Sequence, residues 1–65
     1  MKISTRKIEI IQAQKNITNA AIAELSGISR QNYSTVKLRG TCRPTTAGKI
    51  ARALGVEVEE LLEEE

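Results

Sequence analysis

Between Thr18 and Gly40 the chain reads TNAAIAELSGISRQNYSTVKLRG. This stretch restricts the fold more than any other, because it specifies two short helices joined by a tight turn, a helix-turn-helix. The Thr18 hydroxyl caps the first helix, and Ile22, Ala23, Leu25 and Ser26 carry its apolar and small-residue face toward Gly27. A glycine just past a last helical turn takes positive φ without a Cβ clash, so Gly27 ends that helix. Ile28 plugs the turn, and Ser29 is placed to cap a second helix that begins near Arg30 and ends at Gly40. Tyr33 and Val36, three residues apart, define its inward seam.

The outward face follows from the seam. At about 100° per residue, Gln31, Ser34, Thr35 and Leu38 point away from it, with Arg30 flanking them at the helix start. Short hydrogen-bonding side chains beside an arginine suit the major groove of duplex DNA, where Arg pairs with guanine and Gln with adenine. An ordinary solvated helix face has the same look, so the flanking chain has to decide between the two.

Charge supplies the deciding asymmetry. Residues 1–56 hold all ten Lys and Arg against Glu9 and Glu24, a net of +8, whereas residues 57–65 hold six Glu. A basic body of this kind points to a polyanionic partner. At 65 residues the chain makes one domain, which buries no more than about 60% of its unfolded surface, so short helices must build the core economically. The single cysteine, Cys42, forbids an internal disulfide and reads as a packing residue. Histidine and aspartate are absent, which removes the usual general base and metal-ligand clusters. The expectation is therefore a non-enzymatic protein with no catalytic residues, metal, cofactor or small-molecule substrate. With no apolar run of membrane length and no signal segment, it is expected to be cytoplasmic.

Elsewhere, Ser4 or Thr5 caps a first helix running to about Lys15, with Ile8 and Ile11 inward, Ile10 exposed, and Asn16 closing it in a left-handed conformation. Met1–Thr5 reads as a short arm. Pro44, tolerated at a first helical position, opens a fourth helix whose inward face is Ile50, Ala51 and Leu54 and whose stop is Gly55. Gly48 within it reads as a close helix contact. Arg39, Thr41 and Arg43, in the basic loop before Pro44, are expected to meet the sugar-phosphate backbone. Leu61 and Leu62 close the core, with a last turn at 59–62.

Residues Thr18, Ile22, Ala23, Gly27, Ile28, Ser29, Tyr33 and Val36, together with KIARALGV at 49–56, resemble the phage repressor/Cro-type (XRE-type) helix-turn-helix family. The resemblance runs from about Ile8 to Leu62. It implies an all-α, lambda-repressor-like bundle of four to five short helices over residues 1–62, followed by an acidic tail at 63–65. It also implies binding of double-stranded DNA, base reading by Arg30, Gln31, Ser34 and Thr35, and a role as a small transcriptional regulator of a phage or mobile element.

Some positions depart from the family pattern. Asn19 stands where a glutamine usually holds a phosphate from the start of the second helix, and the shorter amide is expected to do the same, aided by the positive end of the helix dipole. Gln12 and Lys37 replace an arginine and glutamate that commonly pair, which leaves Lys37 free to contact phosphate. The segment to Gly40 is one residue longer than usual, so Leu38 either touches a thymine methyl or buries in a dimer seam. A homodimer would have to use apolar residues near Leu38, Leu61 or Ile10. Two other functions fit the same residues: an architectural DNA-binding protein in recombination, and an antitoxin-like protein-interaction module.

Overall fold

Three serine and threonine hydroxyls set where the helices begin. In the computed structural model, which describes residues 1–63, the Ser4 hydroxyl accepts from the Lys7 N–H at 3.2 Å, Thr18 from Ala21 at 3.1 Å and Ser29 from Asn32 at 3.0 Å. Each satisfies one of the backbone donors that a helix start leaves without an internal partner. The elements are α1 (Thr5–Lys15), α2 (Asn19–Ser26), α3 (Arg30–Arg39) and α4 (Pro44–Leu54), then a 3₁₀ helix at Val58–Leu61. Asn16 ends α1 at φ 56° and Gly27 ends α2 at φ 76°, both left-handed as their positions required.

The core joins every element. Ile8 of α1, Ile22 and Ala23 of α2, Tyr33 and Val36 of α3, Ile50, Ala51 and Leu54 of α4, and Leu61 are all buried together. Helix α2 packs against both α3 and α4, while α1 and α4 hold the 3₁₀ helix. Cys42 packs half-buried against this core, and burial pushes its thiol pKa up while the nearby chain-terminal ammonium pulls it down.

Four sequence expectations need correction. Leu25 is 67% exposed, so the buried face of α2 is Ile22, Ala23 and Ser26, the last donating its hydroxyl hydrogen bond to the Ile22 carbonyl at 2.6 Å. A Cβ placed on Gly48 would meet nothing within 4 Å, so this glycine is not a close helix contact. The last element is a 3₁₀ helix of four residues opening at Val58, its entry held by the Glu57 N–H donating to Glu60 Oε2 at 2.8 Å; Leu61 is buried and Leu62 only half-buried.

The fourth correction concerns the arm, which is part of the core. Ile3 is 1% exposed, and its N–H donates to the Gly40 carbonyl at 2.9 Å. On one side Lys2 bridges Thr41 and the Cys42 N–H donates to the Met1 carbonyl at 3.0 Å; on the other Ile3 bridges Leu62 and the Ser4 N–H donates to the Leu61 carbonyl at 2.7 Å. The arm thus runs between the 40–42 loop and the C-terminal segment, and fixes where that loop lies.

Candidate nucleic-acid interface

With Tyr33 fully buried and Val36 nearly so, the rotation of α3 about its axis is settled. Arg30, Gln31, Ser34 and Leu38 are exposed on the far side, as the spacing predicted, with Leu38 at 87%. Asn32, which the sequence reading did not single out, is exposed beside them in the first turn. Thr35 is half-buried, and its hydroxyl donates to the Gln31 carbonyl at 2.9 Å. It therefore offers an outside partner an oxygen lone pair and a methyl group, not a free donor. Arg39, Thr41 and Arg43 are all exposed where the chain leaves α3, on the loop that the arm clamps.

Asn19 is exposed at the start of α2 and lines, with Thr5, Glu9, Ser34, Lys37 and Leu38, a shallow cleft that links α2 to the outer face of α3. The cleft is closed beneath by a polar cluster. Gln12, buried in α1, accepts on Oε1 from Tyr33 Oη at 2.8 Å and from Lys37 Nζ at 3.2 Å. Its Nε2 donates to the Ile17 carbonyl and to Asn19 Oδ1, both at 3.0 Å. Among the described residues, no buried side-chain nitrogen or oxygen is left without a partner.

This cluster overturns the expectation that Lys37 is free. Its side chain is only 13% exposed, and Nζ reaches Gln12 Oε1, Asn19 Oδ1 at 3.2 Å and Glu9 Oε1 at 3.6 Å while lying 5.6 Å from the Tyr33 ring centre. A signal was present in the sequence, since Lys37 follows Tyr33 by four residues and so lies over it on the same helix face. For the hub, Gln12, the signal lay in the resemblance alone, since its position and that of Lys37 commonly hold a pairing arginine and glutamate. Its partners on α3 are 21 and 25 residues away in the chain.

Burial, and secondarily the Glu9 carboxylate, push the Tyr33 phenol from 10.0 up to about 12. Because the folded value lies above the unfolded one, the stability at stake is fully present below pH 10.0 and is lost as pH rises toward about 12, by about 2–3 kcal/mol. Tyr33→Phe, which cannot ionise, is expected to fall less steeply over that range. Denaturant midpoints of the two proteins across it provide the check, and parallel curves would mean that the phenol ionises in the folded state as easily as in water.

No helix among the described residues is long and apolar enough to cross a membrane. Comparison with known proteins gives one finding: the family model of the Cro/C1-type helix-turn-helix DNA-binding domain matches residues 7–65. No curated protein and no solved structure matches the chain.

Proposed function

This chain belongs to the Cro/C1-type helix-turn-helix DNA-binding domain family, and on that premise we propose that it recognises a specific duplex sequence through the outer face of α3. In this reading Arg30, Gln31, Ser34 and Thr35 read base edges in the major groove, Thr35 as an acceptor and through its methyl. Asn19, Arg39, Thr41 and Arg43 hold phosphates on either side. The observation that carries the proposal is the division of α3 into a sealed seam and an exposed strip of short polar side chains, followed directly by an exposed basic loop. Phosphate contacts of that kind set register, while base-edge contacts supply sequence discrimination.

The biological role proposed is that of a small cytoplasmic transcriptional regulator, repressor- or Cro-like, from a phage or mobile element. Selection of bound sequences from a random DNA pool identifies the site, and an inverted repeat with half-sites about 10 base pairs apart would reveal a two-fold homodimer. On the selected site Gln31→Ala is expected to weaken binding by about 1–3 kcal/mol while leaving binding to random DNA nearly unchanged. An equal loss on both DNAs, in a folded variant, would remove Gln31 from the base readers.

A further inference from the structure

The Asn19 side-chain amide is held in one orientation by two donors. Its Oδ1 accepts from Gln12 Nε2 at 3.0 Å and from Lys37 Nζ at 3.2 Å, and a carboxamide oxygen has two lone pairs, so both are filled. The Nδ2 group lies on the other side of Cγ and makes no hydrogen bond among the described residues. It is the donor that this exposed side chain has left to offer.

Lys37 is satisfied in the same enclosure. An ammonium has three N–H donors, and three acceptors surround this one: Gln12 Oε1, Asn19 Oδ1 and the Glu9 carboxylate. With the side chain 13% exposed and the charge opposed by Glu9, Lys37 faces into the protein. A lysine that contacts phosphate presents its donors outward and exchanges bound counterions for its own charge. Thr5 adds a second tie at this junction, donating from Oγ1 to the Lys37 carbonyl at 2.6 Å, so α1 holds the end of α3 through both backbone and side chain.

We propose that Lys37 is a positioning residue for DNA binding and not a phosphate contact: it acts through Asn19, fixing that amide so that Nδ2 is presented to the duplex backbone. The proposal rests on the reading of the α3 face and the start of α2 as the DNA-binding surface. Glu9 completes the device by balancing the lysine charge, which leaves Asn19 Oδ1 oriented by hydrogen bonds with little net field reaching the DNA.

The test is a charge-balanced pair, Glu9→Gln with Lys37→Met, which removes one negative and one positive charge and keeps an aliphatic stem over Tyr33. Folding is followed by circular dichroism melts. On the selected DNA site this variant is expected to bind about tenfold more weakly, as loss of a charge-assisted hydrogen bond predicts, with the slope of log K against log salt unchanged. Asn19→Ala is expected to lose a similar factor, and the triple variant no more than Asn19→Ala alone, because the lysine acts through that amide. In DNA-free protein, the Asn19 side-chain amide protons should have NMR shifts displaced from those of an exposed asparagine, and in the pair variant, where Gln12 alone holds Oδ1, they should move toward exposed-asparagine positions. A slope that flattens by about 0.9, or a loss that adds fully to that of Asn19→Ala, would make Lys37 a phosphate contact and overturn the proposal. Unchanged Asn19 amide signals in the pair variant would overturn it as well. If the native protein itself bound no DNA, the functional reading would fail, while the DNA-free amide signals would still decide whether Lys37 holds Asn19.

Discussion

Ile3→Ala is expected to lower stability by about 2–5 kcal/mol, enough to unfold most of a domain whose single small core supplies only a few kcal/mol in total. The side chain is 1% exposed within the shared core, so truncation leaves a cavity that the surrounding helices can fill only in part. The same residue anchors the arm between the Gly40 and Leu61 carbonyls, through its own N–H and that of Ser4. Its loss also loosens the pairing of Lys2 with Thr41 and of Met1 with Cys42. Lys2→Ala, at an exposed neighbour with the same backbone pairing, is the control and should change little. Urea midpoints measure both. If the two variants unfolded at the same denaturant concentration, the arm would not belong to the cooperative fold.

DNA binding is expected to weaken steeply with salt. Two phosphates neutralised per domain, by Arg39 and Arg43, correspond to a slope of about −1.8 in log K against log salt, hence a loss of about 12-fold between 50 and 200 mM. Arg39→Gln and Arg43→Gln should each flatten the slope by about 0.9. The acidic end should act in the opposite sense. The Glu63 N–H lies 3.4 Å from the Lys2 carbonyl, and Lys2 bridges Thr41, which puts the exit of the chain about two strand spacings, roughly 10 Å, from the basic loop. That is about the screening length at 0.1 M salt. Deleting 63–65, of which Glu64 and Glu65 lie outside the described residues, is therefore expected to raise affinity modestly at low salt, with the gain shrinking as salt rises. Titrations of both chain lengths at several salt concentrations test this. A flat dependence would sink the reading of the exposed arginines as phosphate contacts, and a normal slope with no effect of truncation would reduce the tail to solvated surface.

What the sequence determined by itself was where the helices begin and end and how α3 is rotated. Ser4, Thr18 and Ser29 start helices because a hydroxyl reaches a backbone N–H three residues on, and Asn16, Gly27, Gly40 and Gly55 stop them because left-handed φ is inexpensive there. The three-residue spacing of Tyr33 and Val36 set the rotation of α3, and with it which residues form the exposed strip proposed above as the DNA-reading face. Tertiary structure decided what depends on partners far along the chain. Ile3 has no periodic neighbours to mark it as core; it becomes core because residues 40 and 61 close on either side of it. Leu25 fits an apolar pattern yet stays exposed, because none of the elements among the described residues packs over that edge of α2, and a Cβ on Gly48 would meet open space for the same kind of reason. Gln12 and Lys37, two polar residues 25 positions apart, become one cluster with Asn19 and Glu9 only after α1, α2 and α3 meet. The physical reason is that capping and helical spacing are set by local backbone geometry, whereas the pairing of buried polar groups is set by which side chains the packed helices shut away from water together.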